Sequence, residues 1–118
     1  MSAVKVYDLL GRRVLVTRES AKAIGPALRQ ALSEDQQEVA LDFSGVDGVT
    51  PSFLDEVVAI IEALLGEAVR MRVILLNPPT RLSLKFQAVG RAHGVLIREL
   101  DNGNWLLVKG ASENEVGA

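Results

Sequence analysis

Two short apolar runs bracket an amphipathic segment in the middle of this chain, and that order leaves few folds open. In the run 39–43, Val39, Leu41 and Phe43 carry β-forming side chains and stop at the turn-prone stretch 44–48, while residues 73–76 are apolar at every position. Between them, residues 51–65 place Phe53, Leu54, Val57, Val58, Ile60, Ile61, Leu64 and Leu65 in one arc of a helical projection. A strand, an amphipathic helix and a second strand apolar on both faces make a βαβ unit, whose strands run parallel under the crossing helix. The expected class is α/β, a single domain with a mixed sheet and about three helices.

The start of that central helix is the candidate functional centre. Thr50 is of the N-cap type, and Pro51 suits the first helical position because it lacks an N–H that would be unpaired there. The arc opposite the apolar one holds Ser52, Asp55, Glu56, Ala59, Glu62 and Ala63. This strip of small residues edged by acids would suit a partner with a basic rim. Ser52 follows the carboxyl end of the first strand, the edge at which open α/β sheets bind ligands. A phosphate on Ser52 would gain about 1 kcal/mol from the helix dipole, while Asp55 and Glu56 would repel it. The competing structural reading is that Thr50 or Ser52 only caps the helix, with Asp55 closing a capping box if Ser52 is the cap.

On either side of this unit the pattern is shorter-ranged. Val4, Val6, Leu9 and Leu10 predict a first strand, Gly11-Arg12-Arg13 a turn and residues 14–17 a second strand, together a hairpin. Residues 19–32 have helical spacing interrupted by Gly25-Pro26, so the helix is either kinked there or regular only from Pro26. A third helix is expected over 80–93, with Leu82, Phe86 and Val89 on its core face, Leu84 turned away as a partner-facing candidate, and Gly94 as the stop. Residues 95–97 and 105–108 then form a closing hairpin around the turn 101–104, with Trp105 packed at the sheet edge. The domain is expected over 1–110, and 111–118 as a flexible acidic tail.

Composition narrows the chemistry. The 118 residues suffice for one domain that buries roughly two-thirds of its unfolded surface. The chain contains no cysteine, which removes disulfides, thiol nucleophiles and thiolate zinc sites. Fifteen acids against thirteen bases, a formal charge of −2, supply no field to gather phosphates, so nucleic acid is not an expected partner. No apolar leader precedes Val4 and no apolar stretch reaches the ~20 residues of a membrane helix, so a cytoplasmic protein without membrane insertion is expected. Asp42, Asp47, Asp55 and Glu56 do not have the spacing of a calcium loop, and Gly45 and Gly48 lack the lysine of a phosphate-binding loop. His93, the single histidine, belongs to no triad motif and would favour the dipole at its helix end. No metal, no cofactor and no enzymatic activity are expected.

The residues Leu41-Asp42-Phe43-Ser44-Gly45-Val46 before a loop, Pro51-Ser52-Phe53-Leu54-Asp55-Glu56 opening a helix, and the later Leu75-Leu76-Asn77-Pro78-Pro79 resemble the STAS-like domains of unknown function. More distantly they are similar to the STAS fold of bacterial anti-sigma factor antagonists. Where those antagonists carry aspartate, two hydroxyl residues and glycine, this chain has Thr50, Pro51, Ser52 and Phe53. The resemblance implies a non-enzymatic regulator that binds a protein partner, an anti-sigma factor or kinase-like regulator, with Ser52 as the switch hydroxyl and Thr50 its neighbour. Two other readings remain open. One is an unmodified STAS subunit of a larger, for example transporter-associated, assembly. The other is a small-ligand or nucleotide-binding domain using the edge beside Asn77-Pro78 and Ser52.

Overall fold

The computed structural model describes residues 2–34, 38–67, 71–79 and 84–110. In chain order the elements are β1 (Ser2–Lys5), α1 (Val6–Leu10), β2 (Val14–Leu15), α2 (Arg18–Ala21), α3 (Ile24–Glu34), β3 (Glu38–Asp42), β4 (Gly48–Val49), α4 (Pro51–Glu67), β5 (Arg72–Leu76), α5 (Leu84–Ala92), β6 (Val95–Glu99) and β7 (Trp105–Lys109). The architecture is α/β, with a mixed five-stranded sheet in the order β1-β3-β5-β7-β6 and a separate two-stranded ladder of β2 and β4. The central unit β3-α4-β5 has its strands parallel, with Leu41 beside Leu75. β6 and β7 form the antiparallel hairpin read from the sequence.

The expected N-terminal hairpin does not form. β1 runs parallel to β3, with Val4 opposite Leu41, and β2 runs parallel to β4, with Leu15 opposite Val49. Val6–Leu10, read as strand, is instead the single-turn helix α1, closed by Gly11 in the left-handed conformation at φ 68°. The physical reason is that β3 and Val49 offer ladders that bury Val4 and Leu15, which a hairpin isolated at the edge would leave half exposed.

The helix expected over 19–32 is divided into α2 and α3 at residues 22 and 23, so that Pro26 falls in the first turn of α3, where its missing N–H costs no helical bond. Helix α4 runs through Gly66 to Glu67, beyond the expected end at 65. Trp105 is not at the sheet edge. It lies on β7, between β5 and β6, buried edge-to-face against Phe86 with ring centroids 5.5 Å apart. Leu82 and the start of the expected third helix, the Leu84 side chain and the tail 111–118 lie outside the described residues.

Helices α3, α4 and α5 cover one face of the sheet. Val39, Leu41, Val73, Leu75, Trp105 and Leu107 point into it and join Ile24, Leu28, Phe53, Val57, Ile61 and Phe86 in the core. On the other face Ala40 is fully buried, whereas Ile74, Leu76, Leu106 and Val108 are half-buried and Leu96 is exposed. Among the described residues no helix packs there.

Candidate functional site

Thr50 caps α4 through both halves of its hydroxyl. Its Oγ1 accepts from the backbone N–H of Phe53 at 3.2 Å and donates to the carbonyl of Val16 at 2.5 Å. The backbone N–H of Thr50 also donates to the carbonyl of Leu15 at 3.0 Å. A cap of this kind contributes about 1 kcal/mol, and the second bond fastens the helix start to β2. The Thr50 hydroxyl is therefore occupied. Ser52, at the second helical position, is exposed and makes no hydrogen bond among the described residues. The capping box with Ser52 and Asp55 does not form, because Thr50 has taken the cap.

Along the outward stripe, Ser52, Glu62 and Ala63 are exposed, while Asp55, Glu56 and Ala59 are half-buried. The acids are not free. Arg18, at the start of α2, pairs with Asp55 and stands 4.0 Å from Glu56. His93, just past α5, lies between two carboxylates, with Nε2 2.9 Å from Asp55 and Nδ1 3.1 Å from Glu62. The stripe expected to be an open acidic edge is thus largely neutralised by two bases from other elements. His93 serves as this bridge to α4, in place of the expected role at its own helix end. Sequence reasoning missed both bases as members of the site, since 37 and 38 residues separate them from Asp55. The usable signal was that three acids on one helix face, in a chain near charge balance, call for basic partners.

The electrostatics follow from this arrangement. The hydrogen bond to Asp55 raises the His93 pKa; burial opposes it and the bond to Glu62 reinforces it. Asp55 is lowered, first by Arg18 and then by His93. Only the imidazolium donates from both nitrogens, so the bridge is complete when His93 is charged. A raised histidine pKa stabilises the fold fully below the ordinary value of about 6.5, and that stabilisation is lost as pH rises through the higher folded value. The stability difference between wild type and His93→Gln should therefore shrink as urea titrations move from pH 6 to pH 9. A difference constant across that range would show that the bridge does not require the charged ring.

A second polar cluster closes the carboxyl edge of the sheet. Oδ1 of Asp42 accepts from the backbone N–H and hydroxyl of Ser44 at 2.9 and 2.8 Å and from Asn77 Nδ2 at 3.0 Å. Asn77, in the left-handed region at φ 52°, donates its backbone N–H to Asn104 Oδ1 at 3.1 Å. Burial alone would raise the Asp42 pKa, but the bonds from Asn77 and Ser44 outweigh it and hold it low. The edge beside Asn77-Pro78, proposed above for a small ligand, is thus spanned by its own side chains, and Ser52 is not among them.

Asp47 pairs with Arg13 at 3.4 Å, so Asp42, Asp47 and Asp55 each turn to a different partner. Among the described residues no three histidine, aspartate or glutamate side chains converge as metal ligands, and no helix is long and apolar enough to cross a membrane. An open cleft of about 560 Å³ lies beside the carboxyl half of α4, lined by Glu62, Ala63, Gly66, His93, Val95 and Lys109 among others.

A family model described as a STAS-like domain of unknown function matches residues 25–79. The matched stretch runs from the first turn of α3 through β3, the Thr50 cap and all of α4 to the loop after β5. It holds every residue of the outward stripe, whereas Arg18 and His93 fall outside it. Neither the curated proteins nor the solved structures compared with the chain gave a match.

Proposed function

We propose that this STAS-like chain is a cytoplasmic, non-enzymatic regulatory module that binds a protein partner through the start and outer face of α4. The carrying observation is the stripe from Ser52 to Ala63, where an unbonded serine and two alanines lie on the outside of a 17-residue helix whose opposite face is core. Small residues let a partner helix or strand approach closely, and Arg18 and His93 leave the stripe near charge balance. The favoured partner surface is therefore apolar with mixed polar groups, a change from the basic rim expected of an uncovered acidic edge. Ser52 is the hydroxyl suited to modification, because Thr50 is held by Phe53 and Val16. A phosphate there would meet the dipole and draw on Arg18 as well as being repelled by Asp55 and Glu56.

The test is affinity capture from the native cell with wild type, Ala63→Arg, Ser52→Asp and Ser52→Ala, each checked for unchanged circular dichroism. A partner whose recovery falls at least ~10-fold with Ala63→Arg supports docking on α4, since a central contact is worth more than about 1 kcal/mol. Equal recovery with Ala63→Arg sinks this reading. Loss with Ser52→Asp alone supports the phosphorylation switch. Equal recovery with both Ser52 variants favours an unmodified subunit of a larger assembly.

A further inference from the structure

A sheet face on which none of the described helices packs is unusual for a sheet built around parallel strands. Parallel strands are normally covered on both sides, because their apolar side chains point both ways. Here the register aligns Ala40, Ile74 and Leu106 in one row across β3, β5 and β7, with Leu96 beside Val108 in the next. Ile74, Leu76, Leu106 and Val108 are half-buried, and Leu96 is 55% exposed. These large aliphatic side chains adjoin one another across β5, β7 and β6, flanked by Arg98 opposite Leu106 and Asp42 opposite Leu76, whereas single exposed leucines are ordinary.

We infer that a second copy of this chain covers this face, so that two sheets pack through Ile74, Leu106, Val108 and Leu96. Two features select that occupant. The charges on this face of the strands are Lys5, Arg72 and Arg98 against Glu38 and Asp42, near balance, which suits self-pairing and disfavours a polyanion or an acidic lipid surface. Five strands ~4.8 Å apart and three rows of side chains make the whole face, charged positions included, about 24 by 20 Å, on the order of 500 Å² per copy. A pair would bury about 1,000 Å², the lower bound for a specific interface, so the dimer is weak and concentration-dependent.

In a two-fold pair, residues at the centre of the patch meet their own counterparts. The absence of native cysteine makes this directly testable, with Leu106→Cys at the centre and Ala63→Cys on α4 as the control. Sedimentation equilibrium of wild type between ~10 μM and ~1 mM should show the mass rising from 12.7 kDa towards twice that value. The double variant Leu96→Lys/Leu106→Lys should remain at monomer mass with unchanged circular dichroism. Under mild oxidation Leu106→Cys should form disulfide dimers at least ~10-fold faster than Ala63→Cys. A wild type that is monomeric at 1 mM, or cross-linking at equal rates, overturns the inference and leaves the face to a different occupant.

Discussion

Replacing Phe53 with alanine is expected to cost about 3–5 kcal/mol of folding stability, the range for removing a large buried aromatic side chain. Phe53 is completely buried, in the first turn of α4, and its backbone N–H is the one that Thr50 caps. The substitution leaves that N–H in place and removes the ring beneath it, so the loss reports packing rather than the cap. Domains of this size are stable by only about 5–15 kcal/mol, so a third or more of the total would go, visible as a melting shift on the order of 10–20 °C. Urea denaturation with an unchanged slope is the appropriate measure, and a loss below about 1 kcal/mol would mean that the helix start is not anchored by this ring.

Gly90→Ala is expected to destabilise by about 1–3 kcal/mol, against the usual direction for a helix. An alanine in place of a helical glycine ordinarily gains about 0.5–1 kcal/mol by restricting the unfolded chain. Gly90, however, sits where α5 crosses β6. A Cβ there would stand 2.5 Å from Cδ1 of Ile97 and 2.8 Å from the carbonyl oxygen of Val95. The isoleucine could rotate, but the carbonyl is part of the β6 backbone, which is held in register with β7, and cannot yield without separating helix from sheet. Gly66→Ala provides the internal comparison. It also lies in a helix, nothing stands within 4 Å of its added Cβ, and it should be neutral or stabilising by up to about 1 kcal/mol. If both substitutions move stability the same way, close helix-to-strand packing is not what Gly90 provides.

These contrasts indicate which parts of the molecule were legible in the chain. The central β3-α4-β5 unit could be read because its information is local: apolar runs of strand length on either side of a helix with a 3.6-residue period. Phe53, Val57, Val58, Ile61, Leu64 and Leu65 are all buried, as the projection predicts. Thr50 as cap was legible for the same reason, since residue type and the following proline suffice. The N-terminus was not, because Val4, Val6, Leu9 and Leu10 fit a strand or a helix equally at that length. The choice is made by β3, whose residue 39 pairs with residue 2. The stripe was legible as a row of residues but not as an electrostatic object, since Arg18 and His93 reach it only through the tertiary fold. Even β4 escaped notice: Gly48 belongs to the stretch read as turn, and Val49 stands between that stretch and the helix start.

The short β2–β4 ladder ties α4 to the beginning of the chain. Three successive residues before α4 are engaged: Asp47 and Gly48 share the carbonyl of Arg13, at 2.6 and 3.3 Å, and Val49 lies opposite Leu15. Thr50 then takes the carbonyls of Leu15 and Val16. The stretch from Arg13 to Val16 acts as a drawstring around the root of α4, and Arg18, two residues further on, extends it to Asp55. A molecule that seized the exposed side chains of Val14 or Val16 would be pulling on the helix start without touching it.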